Sequence, residues 1–322
     1  MNSSEIMPEF DSKAVLLDLE EQRKNIAKAK LNSYYFMAGA IMIAAAGTLS
    51  RSYLMHGIII AAIMLVTGAV LFYNIKEKES EFSYSFKLKV LLATLRNIDP
   101  GLHIDPDNGL SESEFIDSGL FNQEPDRISS EDQIVGKVGK TAFCFSEVHA
   151  EYKTTYQTKH GTREQWHDIF KGIIFVADFN KHFQGVTVVR AKDTGTALSA
   201  WFAKHIPLLS SSSHQLVQLE NPAFCKEFVT YSNDQVEARY ILTPSLMERL
   251  CELNARSENT ISVSFIDSYM YLAFPLGKNY FEPPVFKTLL DPDLLHEDIE
   301  VIRFMYEIVE DLDLNTRIWG KH

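Results

Sequence analysis

The stretch FVTYSNDQVEARYILTPS, residues 228–245, places three ionisable side chains close together. Asp234, Glu237 and Arg239 fall within six positions. Carboxylates in such a set can transfer protons, and the guanidinium can bind an anion. The same residues can also build a structural corner. In that interpretation Asp234 or Asn233 caps a helical turn, while Glu237 or Arg239 pairs with nearby charges or satisfies loop carbonyl groups.

A second polar cluster follows the apolar segment GIIFV, in the sequence ADFNKHF at residues 177–183. The simpler interpretation is a turn, because Asp and Asn before a glycine favour one. The alternative is a site that forms if these side chains and the first cluster converge on one open cleft. Together the clusters give six candidate functional residues: Asp178, Asn180, Lys181, Asp234, Glu237 and Arg239.

Familiar catalytic machinery is missing from the sequence. It contains no G-x-x-x-x-G-K-S/T, G-x-G-x-x-G, G-x-S-x-G or H-E-x-x-H motif, and its ten histidines show no metal-ligand spacing. Cys144, Cys225 and Cys251 are widely spaced, which is typical of unpaired thiols in a reducing compartment. We therefore predict no cofactor, no metal and no catalytic nucleophile.

Alternating apolar patterns predict the elements that position these clusters. Residues 141–158 and 165–179 are predicted to form long strands joined by a turn at 160–162. Shorter strands are predicted at 186–189, 216–220, 228–232, 261–265 and 269–274, and helices at 243–256 and 293–315. Antiparallel strands interrupted by packed helices predict an α+β domain.

Residues 34–73 are strongly apolar, and Arg51 is their only charged side chain. At about 1.5 Å per residue, the runs 34–50 and 53–73 reach roughly 24 and 31 Å, against a hydrocarbon core of about 30 Å. We predict a two-helix transmembrane hairpin. One span plus a buried core helix is an alternative. A cleaved signal peptide is disfavoured, because over thirty mostly polar residues precede the first run.

Basic residues flank the two outer ends of this hairpin, whereas only Arg51 lies between the runs. This excess predicts cytoplasmic N- and C-termini for a multi-pass protein. The spans carry no Asp, Glu or Lys, which favours an anchor over a channel or transporter subunit. Residues 1–75 hold six basic and six acidic side chains, so the net charge of −12 belongs to residues 76–322 and disfavours nucleic-acid binding.

These patterns divide the chain into five parts. The predicted division is a cytoplasmic N-terminal helix at 1–33, the transmembrane hairpin at 34–73, a juxtamembrane amphipathic helix at 74–98, a polar connector at 99–133 and a cytoplasmic α+β domain at 134–322. The helix stops at Asp99-Pro100-Gly101, which is a strong helix-breaking sequence.

Three segments resemble an uncharacterised bacterial membrane-protein family known only as a domain of unknown function. They are FKGIIFVADFNKHFQGVTVV, LVQLENPAFCKEFVTYSNDQVEARYILTPSLMERL and the final LNTRIW. The resemblance extends over roughly residues 75–320 and implies a bacterial inner-membrane protein. It brings no activity, cofactor or catalytic residue with it.

The leading hypothesis is a membrane-anchored cytoplasmic binding or scaffold protein. Its expected partners are the lipid bilayer, an unidentified protein and a second copy of the chain. The alternative is a membrane-tethered enzyme of unrecognised type, such as a hydrolase, that uses Asp178, Asp234, Glu237 or Arg239.

Overall fold

A computed structural model describes residues 11–49, 54–158, 161–179, 182–192, 215–257, 261–291 and 293–312. The chain forms two compact units. The first unit comprises Met1–Asn97 and Phe281–Glu297, and the second comprises Ile98–Tyr280 and Asp298–His322.

The first unit is built on an antiparallel pair of long helices, α1 (Asp11–Leu49) and α2 (Leu54–Phe86). Small residues allow their backbones to approach closely. The Ser33 hydroxyl donates to the Gly68 carbonyl at 2.8 Å, and a Cβ on Gly68 would lie 3.0 Å from the Met37 side chain.

The ends of α1 and α2 farthest from their connection share an apolar core. Its buried members are Leu16, Leu19, Ile26, Ile75, Phe82, Phe86 and Leu289. Beyond α2 the chain continues through a π-helical turn, Lys87–Leu91, into α3 (Leu92–Ile98). Helical structure stops just before Asp99, as the sequence Asp-Pro-Gly requires.

Among the described residues, one helix is long and apolar enough to cross a membrane, from Met55 to Ile98. The sequence predicts two spans. The first predicted span, residues 34–50, lies largely within α1 and is shorter than the second, residues 53–73. Residues 50–53 lie outside the described part of the chain. A second span is therefore still a prediction.

A buried ion pair attaches a distant segment to α1. The Arg23 Nε donates to Glu20 Oε2 at 2.8 Å, and Arg23 Nη1 donates to the Val285 carbonyl at 2.7 Å. The Glu20 carboxylate also accepts from the Leu289 backbone N–H at 2.9 Å and from the Thr288 hydroxyl at 3.2 Å. These bonds hold residues 285–289 against the helix.

The second unit contains a nine-stranded antiparallel sheet with the strand order β1-β2-β3-β4-β9-β8-β5-β7-β6. The strands are β1 His103–Asp105, β2 Arg127–Val138, β3 Thr141–Thr158, β4 Gly161–Asp178, β5 Thr187–Ala191, β6 Gln215–Val217, β7 Phe228–Ser232, β8 Ser262–Ile266 and β9 Tyr269–Pro275. The helices are α4 Glu112–Asp117, α5 Pro222–Glu227, α6 Gln235–Ile241, α7 Pro244–Arg256 and α8 His296–Asp311. The predicted α+β class with antiparallel strands is confirmed.

The segment containing α4 packs against the sheet. Its Phe115 and Phe121 join Phe170 and Ile174 of β4 in one buried cluster. Arg190 on β5 is buried and donates from Nη2 to the Leu120 carbonyl at 2.8 Å. Burial of the Arg190 guanidinium lowers its pKa to about 10, because desolvation disfavours the charged form.

Residues 101–138 contain more regular structure than the sequence analysis predicted. β1, α4 and β2 were not predicted, and β2 begins at Arg127, within the predicted connector. The reason is local. Strand β2 reads RISSEDQIVGKV, and its pairing register with β3 shifts between Glu131 and Ile134. This bulge interrupts the alternation of apolar and polar residues on which strand prediction rests.

The Glu20–Arg23 pair predicts a pH-dependent stability of the first unit. The Arg23 hydrogen bond and ion pair lower the pKa of Glu20 from 4.5 to about 2. A carboxyl group with a lowered folded-state pKa stabilises the fold above pH 4.5, and this contribution is lost as the pH falls from 4.5 toward 2. We expect Glu20→Gln to cost about 1–3 kcal/mol at neutral pH.

The measurement is thermal unfolding of the full chain in detergent, with Glu21→Gln on the exposed face of α1 as the matched control. The gap in melting temperature between wild type and Glu20→Gln should close as the pH falls below 4.5. A constant gap over that range would contradict the assigned role.

Candidate functional site

Asp234 and Glu237 form the corner where β7 meets α6. The Asp234 carboxylate is the N-cap of α6 and accepts from the backbone N–H groups of Val236 and Glu237, each at 2.9 Å. The Glu237 carboxylate accepts from the backbone N–H groups of Gln184, at 3.1 Å, and Gly185, at 2.8 Å. Both acids therefore bind peptide groups, which is a structural use of a carboxylate.

Gly185 fits closely against this corner. A Cβ at this position would lie 2.5 Å from the Asn233 side-chain oxygen and 3.1 Å from Asp234 Cβ. Asn233 itself accepts from the Val186 backbone N–H at 2.7 Å. The end of the segment after β4 is thus attached to the start of α6 by side-chain to backbone bonds.

The remaining candidate residues occupy different places. Arg239 is on α6, and its Nη1 donates to the Gln235 carbonyl at 2.8 Å on the exposed side of the helix. Asp178 is the last residue of β4 and lies opposite Tyr269 of β9. Asn180 and Lys181 lie outside the described residues. The structure places Asp234 and Glu237 together, whereas Arg239 binds its own helix.

Two thiols of the second unit, Cys144 and Cys251, have raised pKa values. Burial raises the pKa of Cys144 to about 11. Burial together with the negative charges of Glu227, Glu248 and Glu252 raises the pKa of Cys251 to about 11 as well. Both side chains are therefore neutral thiols near pH 7, whereas a nucleophilic cysteine needs its thiolate form.

Within the part of the chain that the structure describes, two groups of side chains have the chemistry to hold a cation. Glu131, Asp132 and Glu147 bring three carboxylate oxygens within 4.8 Å of one another, as hard cations require. They lie at a polar cavity of about 110 Å³ that Glu131 and Glu147 line. Glu147 already accepts from the Tyr280 backbone N–H at 2.5 Å, so a protein group uses part of this donor set.

The second group is His149, Glu151 and Asp168, whose ligand atoms also lie within 4.8 Å of one another. Here His149 Nε2 lies 2.8 Å from Asp168 Oδ1, and the Arg127 Nε donates to Glu151 at 2.8 Å. These side chains pair with one another and with an arginine, so we assign neither group as a metal centre.

A larger depression of about 590 Å³ lies beside α8. Its size is within the range of small-molecule sites. Phe274 and Phe304 are among its apolar lining residues, and Arg256 on its rim is hydrogen-bonded to Glu307 at 2.8 Å. The rim carries as many acidic as basic side chains, so its charge does not select a ligand.

The most distinctive feature of the second unit is the outer part of the β3–β4 hairpin. These strands pair along their whole length, from Phe143 and Ala177 out to Thr158 and Gly161. Strand β2 accompanies β3 only as far as Glu151, and β9 accompanies β4 only from Gly172 onward. Residues 152–158 and 161–169 thus form a two-stranded ribbon, which at about 3.4 Å per residue extends for roughly 24 Å.

At the base of the ribbon, Ile169 and Tyr152 pack into the apolar core, whereas polar and aromatic side chains stabilise the rest of it. The rings of Tyr152 and His167 stack at 5.0 Å, and His167 Nε2 lies 2.8 Å from the Thr154 hydroxyl. On the other face, the Arg127 guanidinium lies 4.5 Å from the ring centre of Trp166. Trp166 and Tyr156 are still 40% and 45% exposed.

Exposed aromatic rings beside basic residues are typical of binding surfaces. The ribbon is therefore the candidate site that the sequence analysis missed as a functional element. Strand length is the signal that could have revealed the ribbon. Strands β3 and β4 have 18 residues each, whereas about 5–6 residues are usual for a strand.

A comparison with protein families matches residues 168–314 to a family model. The family is described as "Protein of unknown function (DUF3137)". The predicted resemblance to a domain of unknown function is thereby confirmed over these residues, within the wider range of 75–320 that was predicted. The DUF3137 match includes Asp178, Asp234, Glu237 and Arg239. It begins at Asp168, so most of the ribbon precedes it.

A search of curated proteins finds no match to this chain. Among solved structures, a match is the crystal structure of the mycobacterial trehalose monomycolate transport factor A, TtfA. It has 8% sequence identity and a TM-score of 0.31, and the alignment covers 65% of this chain and 88% of the other. At that TM-score, neither fold nor function is transferred to this chain.

The bonds at the α6 corner predict different outcomes for substitution of Glu237 and of Arg239. We expect Glu237→Ala to lower the free energy of unfolding by about 1–3 kcal/mol, because two backbone N–H groups lose their acceptor. The amides of Gln184 and Gly185 should exchange their hydrogens faster. Arg239→Ala, on the exposed face of the same helix, should change stability by less than about 0.5 kcal/mol.

Chemical denaturation with residue-resolved hydrogen exchange measures both effects on the full chain. Equal losses of stability in the two variants, or unchanged exchange at Gln184 and Gly185, would show that Glu237 does not hold this corner.

Proposed function

We propose that this protein is a membrane-anchored binding protein, held in the bilayer by the α1–α2 hairpin and contacting a protein partner through the β3–β4 ribbon. One observation carries the anchoring role. The apolar side chains of α2 face outward, and Ile59, Ile63 and Val66 are 53%, 61% and 61% exposed. Such a continuous apolar surface in water indicates a membrane or protein contact.

Helix dimensions and packing support insertion of both helices. The apolar part of α2, residues 54–73, is roughly 30 Å long at about 1.5 Å per residue, which matches the hydrocarbon core. Ala40 and Ala61 are buried, whereas Ile41 and Met42 of α1 are 67% and 68% exposed. Small residues inside and large apolar residues outside are the arrangement expected when lipid surrounds a helix pair.

Aromatic and basic residues define the proposed orientation. The rings of Tyr34 and Phe72 lie 6.4 Å apart at one end of the apolar segment. Lys30 pairs with Glu79 at 2.6 Å, one to two helical turns beyond these rings. Aromatic residues at the interface followed by lysines are typical of the cytoplasmic side. We infer a multi-pass protein of the bacterial inner membrane with both termini in the cytoplasm.

The ribbon supplies the binding role. Its backbone can add a further strand, and its exposed Trp166 and Tyr156 can provide side-chain contacts. Asp234 and Glu237 bind backbone amides of their own domain, which favours this function over a membrane-tethered hydrolase.

Site-specific photo-crosslinking in intact membranes tests this function. A photoreactive phenylalanine analogue would replace Trp166 or Tyr156 in the full chain, and Val236, which is 78% exposed on α6, provides the control position. We expect crosslinked adducts from both ribbon positions and none from position 236. Adducts of equal yield at all three positions, or none from the ribbon, would overturn the proposed binding role.

A further inference from the structure

The free edge of β4 is a backbone surface that a strand can pair with. No strand among the described residues pairs with the outer edge of residues 162–169. The outer edge of β3 is different. There the Asp126 carboxylate accepts from the Lys153 backbone N–H at 2.6 Å, so this N–H at the start of the ribbon is already bonded. A third strand is therefore best placed along β4.

The ribbon also benefits from such a strand. A two-stranded hairpin is only marginally stable in water by itself, and three strands or a packed face are needed for independent stability. Residues 161–166 of β4 are all exposed, so no apolar core supports this end of the hairpin. Open edges of this kind are usually shortened, bent or covered.

Symmetry restricts how a second copy could supply that strand. Two identical antiparallel strands are related by a twofold axis perpendicular to the sheet. Paired residues must point to the same face, so the axis has to pass midway between one residue and its own counterpart in the other copy. Only registers centred on a single residue are therefore allowed.

The charges along β4 distinguish between these registers. A centre at Arg163, Glu164 or Asp168 places a charged residue opposite itself. A centre at Trp166 places Glu164 opposite Asp168. A centre at His167 would bring Arg163 opposite Lys171, which lies beyond the free edge and whose carbonyl already accepts from the Leu276 backbone N–H at 3.0 Å. Like charges directly opposite each other are destabilising.

A centre at Gln165 avoids every such pair. It places Trp166 opposite Glu164, His167 opposite Arg163, and Asp168 opposite Thr162. We propose that two copies of this protein associate through the outer edges of β4, antiparallel and centred on Gln165. This rests on the proposed function, since it names the partner of the ribbon as a second copy of the chain. Anchoring in one bilayer raises the effective concentration of the two ribbons.

Disulfide crosslinking in native membranes tests the register. In Gln165→Cys, the two introduced thiols lie opposite each other across the axis, within the Cα separation of about 4.4–6.8 Å that a disulfide needs. Mild oxidation should give a covalent dimer that a reductant reverses. Glu164→Cys is the matched control. Its counterpart in the other copy is displaced by two residues along the strands, so the two positions lie diagonally across the pair at roughly 8 Å.

Two further samples complete the test. The unsubstituted chain shows any dimer formed by its native Cys144, Cys225 and Cys251. Glu164→Cys mixed with Trp166→Cys should form a mixed dimer, since these positions face each other in the proposed register. Residues 164, 165 and 166 are all exposed. Melting temperatures equal to that of the unsubstituted chain would show that the cysteine variants fold.

The outcomes separate this inference from the proposed function. No excess of dimer for Gln165→Cys over the unsubstituted chain and Glu164→Cys would overturn self-pairing. If photo-crosslinking at Trp166 then gave adducts with a different protein, the ribbon would still be a binding element. A dimer at Gln165 and a mixed dimer at positions 164 and 166 would support both.

Discussion

The outward-facing apolar surface of α2 is the constraint on which the account of this protein depends. The inner faces of α1 and α2 are already used, since Ser33, Ala40, Ala61 and Gly68 are buried between the helices. The outer isoleucines and valines have no protein cover among the described residues. Exposure of these apolar side chains to water costs considerable free energy, and insertion into a bilayer removes that cost. In the proposed arrangement the hairpin is thus a lipid-embedded element.

Within the second unit, the organising element is the β3–β4 ladder. Its inner half holds β2 on one side and β9 on the other, and its outer half forms the ribbon. Two backbone irregularities lie where the inner half of the ladder meets the ribbon. Ala150 pairs with Phe170 and Glu151 with Asp168, so one extra residue is accommodated on β4. Gly172 has a φ of +155°, and a Cβ there would lie 2.0 Å from the Phe274 carbonyl.

Much of the second unit could be predicted from its sequence because the signals were local. The long hairpin followed from alternating apolar residues, and the start of α7 followed from Thr243, whose hydroxyl accepts from the Leu246 N–H at 3.2 Å. The role of Asp234 as a cap also followed from local sequence. The role of Glu237 did not, because its amide partners, Gln184 and Gly185, are about fifty positions earlier in the chain. No local pattern contains that information.

Extraction of the full chain from membranes tests the central claim most directly. Alkaline carbonate releases proteins that are bound only at the membrane surface, whereas proteins with embedded helices stay with the bilayer until detergent dissolves it. We expect the chain to float with the lipid after alkaline treatment and to become soluble only in detergent. Release into the supernatant by carbonate alone would show that α2 is not inserted, and would contradict the proposed anchor.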